Sequence, residues 1–175
     1  TGALVLTIVV AGSRMVSSGV ATPVFTLGTL ALILWCSHFS RRIVECLAVH
    51  RYAGRRVPLG DALGEYAYYW GFGTWNAWAF ATHSQSSIDS LGYLGLATFV
   101  LGELGNAWSH LRLRALRRPD TNERGIPTGG LFEWVSCANY SYEILTWCGF
   151  ALVMRNLPSL VFLGAIIPIL AGWAK

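Results

Sequence analysis

Three groups of polar side chains recur at helical spacing inside otherwise apolar stretches. His38, Arg42 and Glu45 stand at i, i+4 and i+7; Glu103, Asn106 and His110 at i, i+3 and i+7; Asn139 and Glu143 at i and i+4, flanked by Tyr140 and Tyr142. Each spacing returns to one face of a helix. Ionisable groups within apolar segments are costly and tend to face a bundle interior, so three such faces predict a shared polar cavity. The plainer reading is that these groups pair among themselves and hold a bundle together.

The residue inventory narrows the chemistry. Histidines occur at 38, 50, 83 and 110, with no HxxxH or HxxHH spacing, so neither a di-iron centre nor any other metal site is expected. No GxSxG element supports an acyl hydrolase, and no GxGxxG follows a strand, so any dinucleotide must bind without a Rossmann fold. What remains is phenols, amides, a carboxylate and arginines. A phenol can protonate a carbanion or enolate beside a carbonyl, provided a cofactor supplies the hydride.

These groups need elements to hold them, and composition says which. The chain has 175 residues, 54% of them apolar and 13% charged, with mean hydropathy +0.47. Soluble domains carry about 25% charged residues, so a single polytopic membrane helix bundle spanning 1–175 is expected. Eight Trp and seven Tyr fit interfacial belts. Apolar blocks predict about six transmembrane helices, all-α, near 1–12, 23–49, 67–83, 90–111, 139–154 and 157–173. Pro58, Pro119, Pro127 and Pro158 fall between blocks. The four cysteines show no close pairing and read as buried free thiols. The chain opens on an apolar run without Met and closes on Lys175 after another, which reads as an interior piece of a longer polypeptide without a signal peptide.

Ten of the twelve arginines lie in two stretches, 41–56 and 112–124. Two predicted spans separate the stretches, so both fall on one side of a membrane, the cytoplasmic side by the distribution of basic residues, with Arg14 and Arg155 opposite. Charge this local excludes the solvent-facing basic surface of a nucleic-acid binder. Arginine suits bidentate grip on phosphate oxygens, although juxtamembrane arginine also serves topology or lipid headgroups.

At 125–150 the chain reads GIPTGGLFEWVSCANYSYEILTWCGF, and HFSRRIVECLAVHRY (38–52), VPLGDALGEYAYYWGF (57–72) and LGNAWSHLRLRALRRP (104–119) precede it. Together these resemble the C-terminal domain of the steroid 5-alpha-reductase family, and within it the trans-2-enoyl-CoA reductases of very-long-chain fatty acid elongation. The resemblance implies a membrane-embedded, NADPH-dependent oxidoreductase that reduces a double bond conjugated to a carbonyl. It implies an acyl-CoA substrate, membrane lipid as neighbour and the endoplasmic reticulum as location. By position, Asn139 and Glu143 would hold the nicotinamide amide, Tyr140 would be the catalytic proton donor, and Asn106 would contact the cofactor. Arg42, Arg51, Arg55 or Arg56, and Arg117 fall where the family grips the NADPH phosphates. Phe39 stands where relatives commonly carry tyrosine, and the family's C-terminal basic and aromatic segment is missing after 173–175. Those differences motivate the alternative of a non-catalytic structural subunit within a larger membrane assembly, in an organellar inner membrane.

Overall fold

The computed structural model describes residues 27–50, 57–82, 88–117 and 125–174. These fold into helices without strands: α1 Leu27–Val44, α2 Leu59–Thr82, α3 Ser90–Ala115, α4 Ala138–Met154 and α5 Leu157–Trp173. A π-helical turn, Glu45–Val49, continues α1, and a 3₁₀ turn, Gly130–Glu133, precedes α4. The expected all-α class therefore holds, and four of the six blocks reappear within a few residues. The block at 1–12 lies outside the described residues.

The largest departure is α2, which begins eight residues before the expected 67. Its first turns carry Gly60 and Gly64, which read as a breaker in isolation. Pro58 stands just before the helix, where a missing N–H costs nothing, and its carbonyl accepts from Ala62 N at 3.1 Å. Asp61 in the first turn complements the positive end of the helix dipole. α3 runs on to Ala115, with Arg112 and Arg114 in its last turn, where cations are favoured.

Among the described residues, no helix is both long and apolar enough to cross a membrane by itself. The reason lies in their sequences. α1 spends its last turn on Arg41 and Arg42, α2 carries Asp61 and Glu65, and α5 stops at 17 residues.

The core is aromatic. Trp35, 1% exposed, meets Phe39, Phe80, Trp147, Phe150 and Phe162 at ring-centroid distances of 5.0 to 6.0 Å. Such tilted and edge-on pairs join α1, α2, α4 and α5 in one cluster. α3 and α4 approach more closely, because small residues line the seam. A Cβ on Gly95 would come within 2.8 Å of Gly149 O, and one on Gly102 within 2.5 Å of Thr146 N.

Asp89 ties the far end of this seam. Its carboxylate accepts from Gly92 N at 2.9 Å, capping α3, and takes a two-point contact from Arg155 at 2.8 Å on both oxygens. That guanidinium holds the exposed Asp89 carboxyl below its ordinary range. Arg155 itself sits in the left-handed region (φ 45°) between α4 and α5. The C-terminal ends of α1 and α3 meet at the opposite end, where Arg42 contacts His110. Arg42 and Arg155 thus occupy opposite ends of the bundle, as the basic-residue distribution predicts.

Candidate active site

The three polar faces read from sequence converge. α1 supplies His38, Arg41, Arg42 and, at the π turn, Glu45; α3 supplies Glu103, Asn106 and His110; α4 supplies Asn139 and Glu143. The seam of glycines between α3 and α4 lets Asn106, 1% exposed, reach across it. Its amide Nδ2 donates to the Asn139 carbonyl at 2.8 Å and to Glu143 Oε2 at 3.0 Å, while its Oδ1 accepts from Arg41 at 2.9 Å.

Glu143 is the best-held carboxylate. Trp147 Nε1 donates to its Oε1 at 3.1 Å from one turn further along α4, and His38 Nε2 lies 3.2 Å from the same oxygen. His38 Nδ1 meets Glu103 Oε1 at 2.6 Å, and Arg41 grips Glu103 through Nε at 2.6 Å and Nη2 at 3.2 Å. Arg41 also donates to Glu45, and Arg42 Nη1 reaches the other Glu45 oxygen at 2.6 Å. The partners are matched in charge: His38, Arg41 and Arg42 face Glu45, Glu103 and Glu143. Balanced in this way, buried ions escape most of the penalty that an unpaired charge would carry.

His38, Arg42, Asn106, His110, Asn139 and Glu143 form one wall of a cavity of about 1030 Å³, with Arg41, Glu45 and Glu103 behind them. Arg42, Asn106, Asn139, Tyr140 and Glu143 all line it, so five of the predicted site residues are brought together. Arg117 lies past the end of α3 rather than in the cavity wall, close enough to His50 to depress its proton affinity. Arg51, Arg55 and Arg56 lie outside the described residues. The opposite wall comes from α2 and α5, with Tyr68, Tyr69, Ile166, Leu170 and Trp173. That wall is aromatic and apolar apart from Asp61 and Glu65 of α2, which also line the cavity.

Several functional candidates escaped the sequence reading. Arg41 sits at the centre of the network, yet the i, i+4, i+7 pattern from His38 selects Arg42 instead; the signal was that Arg41 is four residues before Glu45 on the same face. Tyr68 lines the cavity, and its hydroxyl is buried with no hydrogen-bond partner among the described residues. Its ring is clamped by Phe72 at 5.0 Å and Phe162 at 5.5 Å. All four cysteines are free as expected, but none is fully buried: Cys36, Cys137 and Cys148 are half-buried, and Cys46 is exposed and borders the cavity.

Glu45, His50 and His110 place ligand atoms within 4.8 Å of one another, a set whose types suit a divalent cation and whose spacing along the chain gives no local motif. The donor pattern disfavours a cation there. Arg42 Nη1 donates to His110 Nε2 at 2.6 Å, which leaves Nδ1 of His110 as the donor toward His50 Nε2 at 3.1 Å. Both guanidiniums of 41 and 42 already compensate Glu45. Burial, together with the nearby charges of Arg42 and Arg117, lowers the His50 pKa and favours the neutral ring.

Residues 55–175 match the 3-oxo-5-alpha-steroid 4-dehydrogenase family. The chain belongs to that family. Among its relatives are a probable very-long-chain enoyl-CoA reductase of Caenorhabditis elegans, 35% identical over 156 residues (83% of this chain, 50% of that protein), and a very-long-chain enoyl-CoA reductase of Dictyostelium discoideum, 38% identical over 136 residues (76% and 45%). A rat 3-oxo-5-alpha-steroid 4-dehydrogenase 1 is 42% identical over a shorter stretch of 84 residues, 47% of this chain and 32% of that protein. The chain thus spans about half the length of the enoyl-CoA reductases it matches. The enoyl-CoA reductases align over most of this chain and the steroid enzyme over less than half, so the family resemblance reaches furthest along the enoyl branch.

Proposed function

We propose that the full-length protein is a membrane enzyme of the endoplasmic reticulum that reduces the 2,3 double bond of trans-2-enoyl-CoA with NADPH, as a step in fatty acid elongation. The observation that carries this reading is the single cavity wall shared by Asn139, Tyr140, Glu143, Asn106 and Arg42. The donor set fits a nicotinamide dinucleotide. Glu143 faces the cavity with acceptor capacity beyond its three described donors, which suits a carboxamide N–H. Among the described residues Arg42 donates through Nη1 alone, which leaves Nε and Nη2 as donors for a phosphate. Arg117, just past the end of α3, would add charge at the same end, and the family resemblance assigns Arg51, Arg55 and Arg56 to the phosphates as well. A cavity of about 1030 Å³ also leaves room for an acyl group along its apolar wall.

When bound, NADPH supplies the hydride that adds to the β-carbon of the enoyl thioester. The displaced π electrons collect on the thioester as an enolate. Tyr68, whose buried hydroxyl has no hydrogen-bond partner among the described residues, would donate a hydrogen bond to that oxygen. The Tyr140 hydroxyl has no hydrogen bond among the described residues, so its O–H is uncommitted; it gives its proton to the α-carbon and recovers one from solvent. The apolar face of α3, with Leu94, Leu101, Leu104 and Leu111 exposed along one side, supports a lipid surround.

Replacing Tyr140 by Phe in the full-length protein tests the assignment. Turnover of enoyl-CoA should fall roughly 10²- to 10⁴-fold with NADPH binding retained. Undiminished turnover removes Tyr140 from the chemistry. A wild-type protein that elutes stoichiometrically with a larger assembly and never oxidises NADPH would favour the structural-subunit reading instead.

A further inference from the structure

His38 is 2% exposed and lies between two carboxylates, with Nδ1 at 2.6 Å from Glu103 Oε1 and Nε2 at 3.2 Å from Glu143 Oε1. The surrounding donors decide who carries the protons. Glu103 accepts from Arg41 on both oxygens, and Glu143 accepts from Trp147 on one and Asn106 on the other. Each carboxylate is thus an acceptor at every other contact. His38 must be the donor on both sides, which only the imidazolium can be. Its ring is wedged against Trp147 at 4.6 Å and Phe39 at 5.0 Å, so it has no room to turn away. Although its edge belongs to the cavity wall, both nitrogens are committed, and it has no donor to offer a ligand.

We propose that His38 is a positioning residue, which by spanning Glu103 and Glu143 as an imidazolium holds Glu143 ionised and oriented to read the carboxamide of a nicotinamide cofactor. The proposal rests on the cofactor reading above and adds the device that makes it selective. Glu103 does not line the cavity; its part is to supply the second counter-charge that keeps His38 protonated, and Arg41 in turn anchors Glu103. A neutral residue at 38 would leave Glu143 with hydrogen bonds from Asn106 and Trp147 alone and without a compensating charge in contact, and a buried carboxylate without one takes up a proton and loses its acceptor.

The test is equilibrium binding, read by quenching of tryptophan fluorescence in the full-length protein. Three probes are used: NADPH, its acetylpyridine analogue, in which methyl replaces the carboxamide NH₂, and the adenosine bisphosphate fragment, which lacks the nicotinamide. The wild type should prefer NADPH to the analogue by roughly tenfold to 100-fold, the range of a charge-assisted hydrogen bond. In His38→Gln that ratio should fall toward one, as it should in Glu143→Gln, while bisphosphate affinity stays unchanged in both. A wild-type ratio in His38→Gln overturns the proposal. Should His38→Gln lose bisphosphate binding as well, Glu103→Gln decides: a reduced ratio supports the proposal, and an unchanged one overturns it. A wild-type protein that binds the bisphosphate but shows no preference for NADPH over the analogue defeats the proposal while leaving dinucleotide binding intact. One that binds neither NADPH nor the bisphosphate defeats the cofactor reading and the proposal with it.

Discussion

Asn106 makes the sharpest single-residue prediction, because its two amide atoms serve opposite partners. Nδ2 donates to Glu143 and the Asn139 carbonyl, and Oδ1 accepts from Arg41. Asn106→Ala orphans three groups, with an expected loss of about 1–3 kcal/mol of stability. Asn106→Asp is nearly the same size, yet places a second carboxylate against Glu143 and should cost more, about 3–5 kcal/mol. Thermal unfolding of the two variants in detergent reads the order; Asp tolerated better than Ala would contradict the network. Tyr68→Phe behaves in the reverse sense. Removing a hydroxyl that has no partner should leave the unliganded protein unchanged or slightly more stable, while enoyl-CoA reduction weakens. A hydroxyl that is only structural would show the opposite pattern.

At this scale much of the site was legible. Helical spacing alone grouped Asn106 with His110, and Asn139 with Glu143, on the faces that meet. The pairing partners were not legible, because His38 finds Glu103 and Glu143 at separations of 65 and 105 residues, and only tertiary packing sets such contacts. Tyr68 was invisible for a related reason. A tyrosine in an aromatic run declares nothing about its hydroxyl until neighbours bury it.

Among the elements, the α3–α4 seam carries the site. A Cβ at Gly102 would come within 2.5 Å of Thr146 N and 2.8 Å of Thr146 Cα, backbone atoms that cannot yield. Gly102→Ala should therefore separate the helices, cost about 1–3 kcal/mol or more, and lower cofactor affinity through the lost Asn106–Glu143 contact. Unfolding and NADPH titration together check it, and wild-type values in both would contradict the close approach. At the far end of the seam, Asp89→Asn keeps an oxygen to cap Gly92 N but loses the ion pair to Arg155, whereas Asp89→Ala loses both. The melting temperature should fall further for Ala than for Asn. Sequence located the starts of α3 and α5 closely because Asp89 and Asn156 cap them, whereas the start of α2, just after Pro58, was obscured by Gly60 and Gly64.

For the whole molecule the question is what covers the apolar exterior. Leu101, 62% exposed, faces away from the α3–α4 seam. If lipid surrounds that face, Leu101→Arg should impair membrane insertion by about 2.5–3.5 kcal/mol, while the same change against water is nearly neutral. Fractionation of membranes expressing the variant distinguishes the two. Several of the few charges are turned inward, onto faces shared by α1, α3 and α4, where His38, Arg41 and Glu103 pair.

The central claim is that this inward-facing polar wall supports hydride addition and proton delivery to an enoyl thioester. A single-turnover reaction of the full-length protein with trans-2-enoyl-CoA and NADPH deuterated at the transferable nicotinamide position tests it directly. The account predicts a saturated acyl-CoA with deuterium at the β-carbon and a solvent-derived proton at the α-carbon, formed at a rate that collapses in Tyr140→Phe. Recovery of unreduced substrate with the label still on the cofactor would contradict it.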